Sequence, residues 1–232
     1  MHVCARRAAI AVMGPAILAG PLVLTPASAA TPTPAAPVAV AVAAPRQSDG
    51  TQMMVHAAQQ YAGLRHLHGA AFEQAFMGAM IPHHAAAAAM ARLELTHGSH
   101  PQLKALARQI VASQNREITQ MTGWLHTWYR VTPAQAEQRA PASLRRMSAT
   151  MATEMSAMTR QLTTVPPGSR FDQAFLTAMT AHHKMAVIEA STVPGRASHR
   201  QLTALARQIV TAQNHEITQM ISWLHTWYHT RA

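Results

Sequence analysis

Cysteine is almost absent from this chain: the only one is Cys4, in an N-terminal segment that we expect to be removed on export. The remaining chain then has no disulfide and no thiolate, although the space outside the cytoplasm allows disulfides. Its stability must come from a hydrophobic core, and about 200 residues are enough for one sizeable domain. Any soft metal ligand must be a methionine thioether, because no other sulfur remains.

Long apolar runs are also lacking, apart from one near the N-terminus. Residues 1–29 have the pattern of a signal peptide: Arg6 and Arg7 give positive charge, residues 8–24 are apolar, and residues 27–29 are the small Ala-Ser-Ala of a cleavage site. The apolar run is too short, and too interrupted by proline, to anchor the chain in a membrane. We therefore predict a secreted protein, extracellular or periplasmic, with no stable membrane insertion after cleavage.

Acidic residues are few, 9 against 19 lysines and arginines, and the formal charge of +10 falls to +8 when Arg6 and Arg7 are removed. A basic balance invites a nucleic-acid or membrane-surface interpretation. The basic residues are scattered along the chain, however, and an exported protein rarely meets nucleic acid. We predict no nucleic-acid partner, and the sequence does not indicate an oligomeric state.

An internal repeat determines the predicted architecture. The segment FMGAMIPHH at 76–84 returns as FLTAMTAHH at 175–183. The segment from 102 to 129 returns at 201–228, with the endings MTGWLHTWY and MISWLHTWY. Both segments return 99 residues later, so nothing is inserted within the repeated unit.

The repeat divides the exported chain into predicted parts. Residues 30–50 are rich in proline and alanine and are predicted to be a linker. Residues 51–232 are predicted to form one helical bundle. Within it, repeat one covers 70–130, connector helices cover 133–165, and repeat two covers 169–230.

Each repeat is predicted to be a helical hairpin, because its apolar residues recur at the three-four spacing of one helix face. Gly98 predicts the end of the first helix. Ser99 with Gln102, and Ser198 with Gln201 in the second copy, predict capping boxes that start the next helix. Two hairpins give an all-α, antiparallel four-helix bundle, with an extra crossover helix supplied by the connector.

Each predicted hairpin brings polar side chains face to face in the middle of the bundle, with a register defined to about one turn, roughly 5 Å. The facing pairs are His83 with Gln114 and Met80 with Glu117 in the first copy, and His182 with Gln213 and Met179 with Glu216 in the second. Burial of such groups is costly unless they are hydrogen-bonded or metal-bound. A polar histidine–glutamine network is the simpler interpretation of one copy, but its duplication beside methionines favours a metal site.

The ligand types indicate which metal this would be. Thioether sulfur selects Cu(I) or Ag(I), whereas imidazole also suits zinc, nickel and iron. We predict copper, with another transition metal as the alternative. The candidate ligands are Met80, His83, His84, Met90, Glu117 and Met121 in the first copy, and Met179, His182, His183, Glu216 and Met220 in the second.

Two further patterns are interpreted as packing. Four methionines at helical spacing between Met147 and Met158 are a possible set of soft ligands, but methionine is also a common core filler, which we favour. The paired WLHTWY segments are expected to cap the bundle ends through aromatic contacts. His100 and His199 are expected to face solvent.

At these residues the sequence resembles a bacterial secreted family, domain of unknown function 305. That family has Met-x-x-His-His followed by a helix of the pattern L-x-x-L-A-x-x-I-x-x-x-Q-x-x-E-I-x-x-M-x-x-W-L. Both parts occur twice here, from Met80 to Leu125 and from Met179 to Leu224, within a resemblance that covers about residues 70–230. Glu189 departs from a frequent methionine. The resemblance implies a ferritin-like bundle and, because CopM-type periplasmic copper-binding proteins belong to the family, a role in copper binding or resistance.

We therefore expect a metal-binding protein that buffers or delivers copper or confers resistance to it, and not an enzyme. A ferritin-like di-metal oxidase is the catalytic alternative, but each hairpin offers only one clear inward glutamate, Glu117 or Glu216, which is too few for the usual di-iron centre. The third alternative is a metal-free structural or interaction bundle whose polar layer only sets helix register.

Overall fold

A computed structural model of the chain describes residues 47–230; the predicted signal peptide and nearly all of the predicted linker lie outside this range. The described residues form seven helices and no strand. The helices are α1 (Gln47–Leu64), α2 (Gly69–His97), α3 (Pro101–Tyr129), α4 (Pro133–Arg139), α5 (Ala142–Thr163), α6 (Ser169–Ala190) and α7 (Arg200–Tyr228).

The two repeats form the predicted hairpins, since α2 packs along α3 and α6 packs along α7. Helices α2 and α6 also pack on each other, and they run antiparallel. Their direction follows from their ends: Glu73 near the start of α2 bonds His199 just after α6, and Asp172 near the start of α6 bonds Ser99 just after α2. The prediction of an all-α, ferritin-like four-helix bundle is confirmed.

The same glycine contact joins the two repeats at both ends of the bundle. Gly69 and Gly168, which are equivalent in the repeat, have φ values of +56° and +102°, a backbone conformation that glycine adopts without steric cost. The Gly69 N–H donates to the Arg196 carbonyl and the Gly168 N–H to the His97 carbonyl, both at 2.8 Å. The glycine at the start of each hairpin therefore forms a hydrogen bond at or just beyond the end of the first helix of the other hairpin.

Helices α3 and α7 are capped by the opposite repeat, and the predicted serine capping boxes are wrong. The N-cap residues are His100 and His199, and neither side chain caps its own helix. Instead, Asp172 accepts hydrogen bonds from the backbone N–H of Ser99 (2.8 Å) and His100 (3.1 Å), and Glu73 accepts from the His199 N–H (2.7 Å). A carboxylate at this position satisfies free amides and complements the helix dipole.

The aromatic ends of α3 and α7 stack on the same two histidines. The Trp128 ring lies 3.8 Å from the His199 ring at an interplanar angle of 2°, and Trp227 lies 4.0 Å from His100 at 4°. Both histidines are half-buried, so the expectation that they face solvent is wrong. The expected aromatic capping of the bundle ends is present, and each stack joins one repeat to the other.

Outside the four repeat helices, α1 and α5 cover the α2–α6 layer. Three of the four stripe methionines, Met151, Met155 and Met158, are buried in the apolar core, as expected of core filler. Helix α1 buries Ala57, Gln60 and Leu64. None of the helices within residues 47–230 is long and apolar enough to cross a membrane.

Candidate metal centre

Two histidines from the two repeats meet at the centre of the bundle. The rings of His83 on α2 and His182 on α6 have centroids 3.8 Å apart, and both residues are buried. None of their four ring nitrogens has a hydrogen-bond partner. Buried polar atoms are nearly always hydrogen-bonded, so this pair is an exception that requires an explanation.

Burial keeps both central histidines neutral. Removal from water, followed by the charges of the neighbouring histidines, lowers the pKa of His83 and of His182 well below the usual value. A neutral imidazole has a lone pair on one ring nitrogen, which is the form that binds a metal ion. At neutral pH the pair therefore has two nitrogen lone pairs, one on each ring, that are available to a metal ion.

The adjacent histidines are oriented by glutamates on the partner helix of each hairpin. His84 Nε2 lies 2.6 Å from Glu117 Oε2, and His183 Nε2 lies 2.7 Å from Glu216 Oε2. Because a carboxylate only accepts, Nε2 carries the proton in each pair. The Nδ1 atoms are buried and have no hydrogen-bond partner.

The hairpin register differs from the predicted one by about one turn. Glu117 bonds His84, where the prediction set it opposite Met80. The alternative interpretation, a His83–Gln114 hydrogen-bond network, is not observed, since His83 is unpartnered and the Gln114 Oε1 atom has no partner either. The equivalent Gln213 Oε1 in the second copy is likewise unpartnered.

All the methionines among the predicted ligands are in the core. Met80 and Met121 belong to one apolar cluster, and Met90, Met179 and Met220 belong to another. Each of the five has zero exposure. The two glutamates among the candidates are less enclosed, with side chains 16% and 14% exposed, so they lie at the rim of the central layer.

Carboxylate groups, which are hard oxygen ligands, do not cluster in the central layer of the bundle. Within the described residues, no three His, Cys, Asp or Glu side chains form a group that could hold a metal ion. One Glu-x-x-His sequence occurs, Glu94 to His97, but Glu94 lies against Gly98 and Asp172 at the end of the bundle. The donors that this layer offers a metal ion are imidazole and thioether groups, a combination that suits soft ions.

These features define a class of protein: an α-helical bundle of two repeats whose buried central layer contains paired histidines, with methionines in the surrounding core. The chain belongs to the family described as Domain of unknown function (DUF305), whose model matches residues 26–122 and 73–224.

Solved structures include similar proteins. The chain is 31% identical to CopM in the Cu(I)-bound form, with a TM-score of 0.53, over 67% of this chain and 97% of that one. CopM in the Cu(II)-bound form gives 31% identity and a TM-score of 0.55 over the same shares. A DUF305 protein from Streptomyces coelicolor, 24% identical over 66% of this chain and 91% of that chain with a TM-score of 0.56, shares the fold. No curated protein matches the chain.

Proposed function

We propose that this protein binds Cu(I) in the central layer of its bundle and buffers or delivers copper, or confers copper resistance, outside the cytoplasm. The observation that carries the proposal is the close His83–His182 pair, with ring centroids 3.8 Å apart and all four ring nitrogens buried without partners. Leaving such groups unpaired costs about 1–3 kcal/mol each. A metal ion that accepts the one lone pair of each neutral ring offsets part of that cost.

The donors form two sets related by the repeat. In this proposal His83, His182 and the Nδ1 atoms of His84 and His183 supply nitrogen, and Glu117 and Glu216 hold the latter two rings in place. A carboxylate on the far nitrogen of a metal-binding histidine is a common arrangement, since it fixes the tautomer and raises the basicity of the ligating nitrogen. The thioethers come from Met80 and Met121 in the first set, and from Met179, Met220 and Met90 in the second.

Copper is favoured by donor chemistry and by similarity. Neutral imidazole with thioether, in a layer from which water is excluded, stabilises a soft monovalent ion more than a hard divalent one. CopM, the relative described above, has solved Cu(I)-bound and Cu(II)-bound forms. We further propose that the protein acts after removal of residues 1–29, which N-terminal sequencing of the exported protein would test.

The test is Cu(I) binding by the exported chain, measured anaerobically in competition with a chromophoric Cu(I) chelator. His83→Phe with His182→Phe replaces both imidazole rings by rings of similar shape. We expect the affinity to fall by more than about 100-fold, because loss of an outer-shell group alone costs about 10- to 100-fold. The matched control replaces His126 and His225, which are exposed and repeat-equivalent, by phenylalanine.

The outcomes separate the three function classes. Unchanged Cu(I) affinity in the folded His83/His182 variant would refute the site. A wild-type melting temperature that does not rise with Cu(I) or Ag(I) would favour the metal-free bundle, since a ligand specific for the folded state must stabilise it. Bound iron with an oxygen-dependent absorbance change would favour the oxidase.

A further inference from the structure

A second group of unpartnered polar atoms lies beside the central histidines. Helices α1, α2, α4, α5 and α6 line a partly open cavity of about 80 Å³, whose lining includes Gln60, His83, Glu137, Glu189, Met151 and Met155. The cavity is large enough for a metal ion with one or two waters. It lies between the hairpin helices α2 and α6 and the helices α1, α4 and α5, which are outside the two hairpins.

Three of the lining side chains are buried and lack partners. Glu189, Gln60 and His83 are 1%, 2% and 2% exposed, respectively. Both carboxylate oxygens of Glu189, the amide oxygen of Gln60 and both ring nitrogens of His83 have no hydrogen-bond partner. Burial raises the pKa of Glu189 to about 8, as is usual for a carboxyl group with no cation beside it.

The repeat shows that Glu189 is not required by the fold. Its equivalent in the first copy is Met90, which is fully buried in the apolar core. A thioether therefore suits this position of the hairpin, and a carboxylic acid in its place costs stability unless it gains a partner. The exchange changes one soft donor into a hard one on one side of the central layer only.

The cavity also has a route to the surface. An open groove of about 410 Å³ between α2 and α5 shares Pro82, Ala152 and Met155 with the cavity lining. Pro82 interrupts the backbone hydrogen bonds of α2 one residue before His83. An ion that enters through this groove reaches Glu189 and His83 before it reaches His182.

We propose that this cavity is a second cation site, which binds Cu(II) or another borderline divalent cation through the Glu189 carboxylate, the Gln60 amide oxygen and the lone pair of His83, so that this site and the Cu(I) site use the His83 ring in turn. Oxygen and imidazole donors together suit such ions, whereas the thioether-rich layer beyond suits Cu(I). Only two of these donors are His or Glu, and the amide oxygen completes the set. The choice of copper rests on the proposed function; the site itself rests on the three donors.

The experiment measures Cu(II) and Ag(I) binding by equilibrium dialysis, with Ag(I) in place of Cu(I), together with the Cu(II) electron paramagnetic resonance spectrum. Glu189→Gln removes the ionisable carboxyl group and keeps the shape, and Glu189→Leu removes every donor. The matched control is Glu94→Gln, the same change at another buried glutamate, at the bundle end. Circular dichroism and melting temperature show that each variant is folded.

We expect the Glu189 variants to bind one Cu(II) fewer, or to bind it at least about tenfold more weakly, with Ag(I) binding unchanged. The Glu94→Gln protein should match the wild type in both. Equal Cu(II) binding by wild type and both Glu189 variants would overturn the proposal, as would parallel loss of Cu(II) and Ag(I) in a folded variant. If Glu189 controls Cu(II) binding but wild type binds neither Ag(I) nor Cu(I), the proposed function fails and the cavity site stands.

Discussion

Replacing Glu94 by glutamine should change how the stability of the protein depends on pH. Glu94 has zero exposure, and neither of its oxygens accepts a hydrogen bond. It is pressed against the loop after α2, where a Cβ added to Gly98 would overlap with Glu94 Oε1 and lie 2.7 Å from Asp172 Oδ1. Burial, and then the charge of Asp172, raise the pKa of Glu94 to about 9.

The direction of the effect follows from proton binding. The folded protein holds the Glu94 proton up to about pH 9, whereas the unfolded chain loses it near the ordinary value of 4.5. The folded state thus binds more protons across this interval, so the free energy of unfolding of the wild type falls as the pH rises. Glutamine stays neutral and donates to Asp172 as the protonated acid does, so the free energy of unfolding of the variant does not fall in this way.

The expected magnitude is large enough to measure. One pKa unit corresponds to about 1.4 kcal/mol, so the stability of Glu94→Gln relative to wild type should rise by on the order of 1 kcal/mol per pH unit between about pH 5 and 8. Urea unfolding followed by circular dichroism at several pH values measures this difference. Glu154→Gln, at a partly exposed glutamate that bonds His56, is the control. Parallel stability curves for Glu94→Gln and wild type would refute the reasoning.

Two further predictions concern a buried carboxylate and a close contact between helices. The pKa of Glu73 is lowered, because hydrogen bonds from Tyr129 and from the backbone and ring of His199 outweigh the effect of burial. The stability of the wild type should therefore fall as acid protonates Glu73. Glu73→Gln should be less stable by about 1–3 kcal/mol at neutral pH and should lose this acid dependence, as measured by urea titrations. Gly78→Ala should lower the melting temperature, at a cost of about 1–3 kcal/mol, because its Cβ would lie 2.9 Å from the backbone nitrogen of Glu137; equal melting would contradict the observed contact of α4 with α2.

The hairpin register shows why sequence spacing predicted the right helices but not the right partners. Counting residues outward from the turn sets Glu117 opposite Met80, yet it bonds His84. Helical side chains lean toward the N-terminus of their own helix. In an antiparallel pair the two leans are opposite in space, so contacts move by one or two residues on each helix. Counting Cα positions omits this displacement.

Other features depend on contacts between distant segments. The capping of α3 by Asp172 and of α7 by Glu73 had one available signal, an acidic residue at the same position of both repeats. Its role was not predictable, because it depends on how the start of one hairpin meets the turn of the other. The polar cavity beside Glu189 depends in the same way on α1, which has no repeat partner to indicate its place.

The sequence by itself determined the two hairpins, the all-α bundle and the set of histidines and methionines that point into it, because periodicity, turn residues and repetition are properties of contiguous sequence. Only the tertiary structure decided that the rings of His83 and His182 meet with centroids 3.8 Å apart and that the carboxylates of each repeat cap the helices of the other. Those contacts depend on the antiparallel packing of α2 and α6, and that packing is fixed by the fit of the whole core and by no local segment.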